Sequence, residues 1–217
     1  FGSLPDLNNI TNETSFIYVQ NKNGDFEEKQ SLGGANSVWV DLNDMPMYMQ
    51  NAVISIEDER FRDHKGVDWK RTVSAFANLI FHFNSTEYGG STITQQLIKL
   101  TTQNDDHTIE RKITEILGAL ELEKTSSSKD QVLEAYLNIL PLTGNITGVG
   151  AGARTYFGKD LQDCSLAECA VLASITNNPS YYNPYYHPDH VRQRQRLVLY
   201  KMRQLGYIND QEYIQAL

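Results

Sequence analysis

The 217 residues include only two cysteines, no long apolar run and fewer basic than acidic side chains. Each shortage rules something out. Cys164 and Cys169 lie five positions apart in what reads as one helix. They fall on different faces, too far apart for a disulfide, and are expected to pack as small residues. They do not discriminate between redox compartments. With no run of about 20 apolar residues, no part of the chain is expected to span a membrane. Nineteen Lys and Arg against 27 Asp and Glu leave a net charge of −8, which argues against the basic stripe of a nucleic-acid binder. An anionic ligand would need a local cluster of cations instead. No initiator Met or signal peptide precedes Phe1, so the chain reads as a piece of something longer.

What is present suffices for one sizeable core, with 40% hydrophobic residues. Residues 1–15 are polar. Asn23-Gly24 between two alternating segments signals a β-hairpin. After Val38-Trp39-Val40 the period turns helical and stays so. Helices are expected over about Pro46–Phe61, from Asp68 (carrying Trp69, Val73, Phe76, Ala77 and Ile80) and from Ser91 (burying Ile93, Leu97 and Leu100). A fourth carries the stripe Ile109, Ile113, Ile116, Leu117 and Leu120. Ser128 caps a fifth, which places Leu133, Tyr136, Leu137 and Leu140 inside. Gly144, Gly148, Gly150 and Gly152 suggest a long, tight loop before Tyr156-Phe157-Gly158. Ser165 and Glu168 form a capping box. A long helix runs from Pro188 to Gly206, and Asn209 to Glu212 cap the last. The expected class is mostly α.

Two blocks offer chemistry. Glu57-Asp58-Glu59-Arg60-Phe61-Arg62-Asp63-His64-Lys65-Gly66 puts carboxylates beside a His-x-Gly turn. These could be a solvated acidic helix end. Alternatively one carboxylate, best Glu57 after Ile56, turns inward among apolar neighbours as a general base. His64 reads as a hydrogen-bonded structural histidine. Gly89-Gly90-Ser91-Thr92-Ile93-Thr94-Gln95-Gln96-Leu97-Ile98-Lys99 could be an ordinary capped helix. It could equally use free helix N–H groups and the Ser91 hydroxyl to receive phosphate oxygens, with Lys99 two turns on. Arg111 and Glu115 could pair on the surface, or Lys112 could join Lys99 on a leaving group while Glu115 binds a metal or orients a phosphate. Ser126-Ser127-Ser128-Lys129 fits a Ser-x-x-Lys pattern but lacks its partner motifs, and reads as a cap.

Taken in order, these segments resemble the signature series of glycosyltransferase family 51, the peptidoglycan glycosyltransferases. The matching blocks are Glu57-Asp58-x-x-Phe61-x-x-His64-x-Gly66, Gly89 to Lys99, Arg111-Lys112-x-x-Glu115, Val132-Leu133-Glu134-x-Tyr136-Leu137-Asn138 with Tyr156-Phe157-Gly158, and Ser165 to Pro179. The resemblance implies a lysozyme-like, two-lobed helical domain over 38–217, preceded by a linker and hairpin pedestal over 1–37. It implies a membrane-facing jaw around 68–90 beside a groove that also takes the inhibitor moenomycin. It further implies polymerisation of lipid II, with Glu57 as the base that deprotonates the acceptor sugar. Inverting displacement of the undecaprenyl diphosphate would then give a β-1,4 bond.

By the same resemblance Ser91, Gln96, Lys99 and Lys112 hold the donor's diphosphate and sugar. Glu115 is the second carboxylate, with Mg²⁺ or Mn²⁺ as a candidate cofactor. Asp58, Phe61, His64, Gly66 and Asn138 are motif residues of structural kind. The partners implied are lipid II, the growing glycan chain, a membrane surface reached through an N-terminal anchor, and a C-terminal transpeptidase domain. No nucleic acid is implied. The location implied is the outer face of the bacterial cytoplasmic membrane. His107 stands where the family usually has an arginine, and a neutral imidazole is a weaker diphosphate ligand. Ile139-Leu140-Pro141-Leu142-Thr143 also departs from the usual run. The rival readings are a lysozyme-like, lytic cell-wall hydrolase and a catalytically weak lipid II-binding module.

Overall fold

The computed structural model describes residues 15–20, 26–32, 38–74, 90–102, 109–125 and 128–217, the first two segments as backbone only. The Asn23-Gly24 turn, Phe76 to Phe83 and most of the expected jaw, and His107 lie outside the described residues. Strands β1 (Ser15–Gln20) and β2 (Phe26–Leu32) pair antiparallel, Ser15 opposite Leu32 and Gln20 opposite Phe26, with an irregularity between Ile17 and Tyr18. The expected hairpin is therefore present.

From residue 38 on, the described residues are helical or connecting. The helices are α1 (Met47–Glu57), α2 (Ile93–Thr102), α3 (Ile109–Thr125), α4 (Lys129–Ile139), α5 (Val149–Phe157), α6 (Leu166–Ile175), α7 (Pro188–Gln204) and α8 (Asp210–Ala216), with a helical stretch over 69–74. Helices α1 and α6 are apolar on nearly every side and are therefore buried. Met49, Ala52, Val53 and Ile54 of α1 are buried, as are Cys169, Ala170, Leu172, Ala173 and Ile175 of α6. These two helices pack on each other and on α7, whereas α2 packs on α3 and α4. The two groupings share one apolar core and flank the cleft described below.

Local capping signals decide several boundaries. Ser128 with Gln131, Ser165 with Glu168 and Asn209 with Glu212 each form a reciprocal capping box, opening α4, α6 and α8. Helix α1 ends at Glu57, four residues before the expected end at Phe61. Asp58 leaves helical geometry at φ −157° while its N–H still bonds Ile54 O at 2.9 Å.

Four other expectations are corrected. Gly150 and Gly152 belong to α5, where side chains are excluded by close packing. A Cβ on Gly150 would come within 2.6 Å of Val38 O, and one on Gly152 within 2.5 Å of Leu142. The α3 stripe is rotated: Ile113 and Leu117 are exposed, Ile116 and Leu120 are half-buried, and Glu115, Ala119 and Leu122 are the buried positions. Leu100 in α2 is also only half-buried. Cys164 is not in a helix with Cys169 but ends the short turn Leu161–Asp163. Both thiols are free and buried, and burial pushes Cys164 up to about 11 and Cys169 to about 12.

Two devices lock the frame. Asn138 mimics a strand partner: Val40 N–H donates to its Oδ1 at 2.8 Å, and its Nδ2 donates to Val40 O at 2.9 Å. Gly66, at φ +79°, lies so close to α3 that a Cβ would meet Ala119 O at 2.3 Å. Gly66→Ala should therefore cost at least about 2 kcal/mol, through both the left-handed backbone and the clash. Urea denaturation midpoints at unchanged m-value measure it.

Candidate active site

Glu57 closes α1 with its carboxylate turned into the cleft, and Asp58, the next residue, turns the opposite way into the core. Asp58 is 0% exposed. Its oxygens lie 3.0 and 3.1 Å from His64 Nε2, and Oδ2 accepts from Ile93 N–H at 3.0 Å. Arg71 Nη1 stands 3.9 Å away and donates to Glu57 O at 2.8 Å. A carboxylate at a helix N-terminus meets the positive end of the helix dipole. His64 Nδ1 has no hydrogen-bond partner, so the Nε2–H tautomer leaves no donor unsatisfied. The structural role expected for Asp58 and His64 fits this geometry. Phe61, fully buried, packs edge-on to the His64 ring and under the ammonium of Lys129 at 4.3 Å.

The start of α2 is not the open anion site that its composition suggests. Thr92 N–H donates to Gln95 Oε1 at 2.9 Å, Gln95 N–H to Thr92 Oγ1 at 3.1 Å, and Ile93 N–H is taken by Asp58. Thr92 Oγ1 donates to Gly66 O at 2.6 Å. These N–H groups serve the fold, and an incoming phosphate would have to be met by side chains.

Those side chains line a cavity of about 390 Å³ between the two helix groupings. Glu57 comes from α1, Gln96 and Lys99 from α2, Arg111 and Glu115 from α3, and Thr176 from the end of α6. Ser91, Arg71, Tyr136 and Arg194 complete the polar wall. Four cations, Arg71, Lys99, Arg111 and Arg194, thus face the same space as two carboxylates, in a chain whose net charge is −8. Lys112 stands just behind the wall. Its ammonium donates to Ser91 Oγ at 2.7 Å and to Glu115 Oε2 at 2.9 Å. Arg111 Nε lies 3.1 Å from Glu115 Oε1, with side-chain exposures of 17% and 6%. This pair is buried in the cleft wall, not on the surface.

Glu57 has polar neighbours where apolar ones were expected. Gln96 Nε2 donates to its Oε2 at 2.9 Å, and Thr176 Oγ1 lies 2.8 Å from its Oε1. Tyr136, whose phenol burial raises well above its ordinary value, donates to Gln96 Oε1 at 2.9 Å. Of the expected site residues, Glu57, Ser91, Gln96, Lys99 and Glu115 meet in one cavity and Lys112 backs it. Sequence reasoning missed Arg71, Thr176 and Arg194. Arg71 and Arg194 carry no motif signal. Thr176 lies inside the Ser165–Pro179 block but looks like an ordinary helix end.

Residues 25–203 match the sequence model of the family described as Transglycosylase. The chain belongs to that family, the peptidoglycan glycosyltransferases. It is 38% identical over 217 residues to penicillin-binding protein 1A of Streptococcus pneumoniae, covering 99% of this chain and 29% of that protein. Penicillin-binding protein 1A of Clostridium botulinum is 39% identical over 214 residues, covering 94% of this chain and 25% of that protein. The chain thus spans under a third of the length of these relatives. The 2.6 Å crystal structure of penicillin-binding protein 1A from Haemophilus influenzae superposes with a TM-score of 0.52 at 22% identity, over 94% of this chain and 20% of that one. That likeness concerns the fold.

Asp58→Asn should lower stability by about 3 kcal/mol, because it leaves His64 and the α2 N-terminus without their buried anion. Glu57→Gln should change stability by less than about 1 kcal/mol. Paired urea titrations of the two variants separate the architectural carboxylate from the cleft carboxylate.

Proposed function

We propose that the chain polymerises lipid II into β-1,4-linked glycan strands. The donor is the growing chain on undecaprenyl diphosphate, and a new lipid II is the acceptor. The observation that carries this reading is the pairing of one hydrogen-bonded carboxylate, Glu57, with a wall of cations in a single cavity. Glu57 takes the proton from the acceptor's sugar hydroxyl. The oxygen attacks the anomeric carbon from the face opposite the diphosphate, and one displacement inverts that centre. The leaving diphosphate accumulates negative charge. Lys99, Arg111 and Lys112 stabilise it as fixed cations in a partly desolvated site. Ser91, held by Lys112, and Gln96, held by Tyr136, orient the donor. His107 takes its place at the diphosphate in its protonated form.

A Mg²⁺ or Mn²⁺ ion held by the protein does not fit the described residues. Such ions ask for near-octahedral oxygen ligands, whereas Glu115 is a single carboxylate with Arg111 and Lys112 against its two oxygens. No group of three or more His, Cys, Asp or Glu that could hold an ion occurs among the described residues. On this proposal any divalent ion enters with the diphosphate.

The cation wall also weighs against a lytic hydrolase, for which a water nucleophile and an uncharged leaving sugar give these residues no task. Trp69 and Val73 are exposed at 55% and 63% where the jaw would begin, which supports contact with a lipid surface. No helix among the described residues is long and apolar enough to cross a membrane. The membrane anchor, the transpeptidase domain and a location on the outer face of the cytoplasmic membrane belong to the same proposal.

Lipid II in detergent, with Mg²⁺ or with chelator, should yield a ladder of glycan lengths from the parent chain. Glu57→Gln should lower the rate by at least about 100-fold. Equal ladders from both would remove Glu57 as base, whereas soluble muropeptides released from finished cell wall would favour the hydrolase.

A further inference from the structure

The two carboxylate oxygens of Glu57 have different kinds of partner. Oε2 accepts from Gln96 Nε2 at 2.9 Å, and Tyr136 Oη lies 2.9 Å from Gln96 Oε1. An ionised carboxylate only accepts, so the amide must present its NH₂ to Glu57 and its carbonyl to Tyr136. Burial, and then the charges of Glu57 and Asp58, keep the phenol protonated as the donor. The donor to Oε2 is therefore fixed in direction.

Oε1 has a reversible partner. Thr176 Oγ1 lies 2.8 Å from Oε1 and 3.0 Å from Ala173 O, three residues back in α6. A hydroxyl has one proton and two lone pairs, so the two oxygens compete for that proton. When Glu57 is ionised, the proton points at Oε1. When Glu57 is protonated, it can turn to Ala173 O and leave a lone pair for Oε1–H. Threonine is suited to this, because a bond to the carbonyl three or four residues back is one of its ordinary helical rotamers. The Gln96 amide, pinned by Tyr136, has no such freedom.

We propose that Thr176 is a positioning residue for the base, a hydroxyl switch that accommodates both protonation states of Glu57 and makes Oε1 the oxygen that carries the transferred proton. This rests on the reading of Glu57 as base. In the step, the acceptor's O–H bond breaks and its proton passes to Oε1. The freed oxygen bonds to the donor's anomeric carbon, and the electron pair of the breaking C–O bond leaves with the diphosphate. Thr176 turns from Oε1 to Ala173 O as this happens. No proton leaves Glu57 through it.

Other charged or titratable groups face this end of the cleft from every side. They are Arg71 in the 69–74 stretch, Lys99 on α2, Arg111 and Glu115 on α3, Tyr136 on α4 and Arg194 on α7, while the charge of Asp58, just after α1, acts on Tyr136 from within the core. Thr176→Val leaves them all in place and removes only the hydroxyl, at nearly constant shape. Thr176→Ser restores it.

The test is kcat/KM for lipid II polymerisation in detergent, from acid to alkaline pH, for the parent, Thr176→Val, Thr176→Ser and Glu57→Gln. Thr176→Val should fall roughly 10- to 100-fold, the worth of a hydrogen bond to a charged group. Its acid limb should move to higher pH, because a carboxylate that loses a donor is protonated more readily. Thr176→Ser should keep the parent's profile. A valine variant with the parent's rate and profile overturns the inference. So does an equal loss in both variants with the acid limb unmoved, since the side chain would then matter only for packing. Activity in Glu57→Gln would instead overturn the assignment of the base itself. Thermal unfolding monitors the fold of each variant. If the valine variant does not fold, Thr176→Ala takes its place with the same expectations.

Discussion

The buried carboxylate of Asp58 is the contact on which the rest of the site depends. It sits at the break between α1 and the following turn, and it receives His64 from that turn and the first N–H of α2 from 35 residues further on. An anion with no solvent exposure persists only when its partners are all in place. The end of α1, the His-x-Gly turn and the start of α2 are therefore held as one unit. Thr92 adds a bond from α2 to Gly66 O, and Gly66 in turn lies against the backbone of α3 at Ala119. Glu57 precedes Asp58 by one residue, so the orientation of the cleft carboxylate follows directly from that of the core carboxylate.

A division of labour between adjacent residues results. Asp58 faces dipole, imidazole and core, and its charge is spent on architecture. Glu57 faces an amide, a hydroxyl and an open cavity, so its carboxylate remains accessible to a substrate. The polar wall opposite it is built the same way: Lys112 braces Ser91 and Glu115 from behind, and Tyr136 braces Gln96. Ser91, Glu115 and Gln96 are thus each held by a neighbour behind them, which is the condition for preorganised electrostatic stabilisation.

Much of the fold was legible from local patterns, because caps and apolar runs act over a few residues. The boxes at Ser128, Ser165 and Asn209 place the starts of α4, α6 and α8, and the apolar segments of α1 and α6 mark the buried pair. What was not legible depends on partners far away in the chain. Gly150 and Gly152 look like loop glycines until Val38, Val40 and Leu142 are seen pressing on α5. The rotation of α3 follows from docking Ala119 under Gly66 and pairing Glu115 in the cleft, a choice its own sequence cannot reveal. The motif residues of the cleft were readable as a set, but the start of α2 only looks like an anion site, because Asp58 and Gln95 already occupy its N–H groups. Thr176 meets Glu57 across 119 positions, and no spacing rule connects them.

The charged wall of the cleft also bears on what can block it. Arg71, Lys99, Arg111 and Arg194 all line the cavity, so a neutral, greasy compound of the right shape would cover a cationic wall and offer it no acceptor. Useful occupants must therefore carry their own negative charge or a dense array of acceptor oxygens.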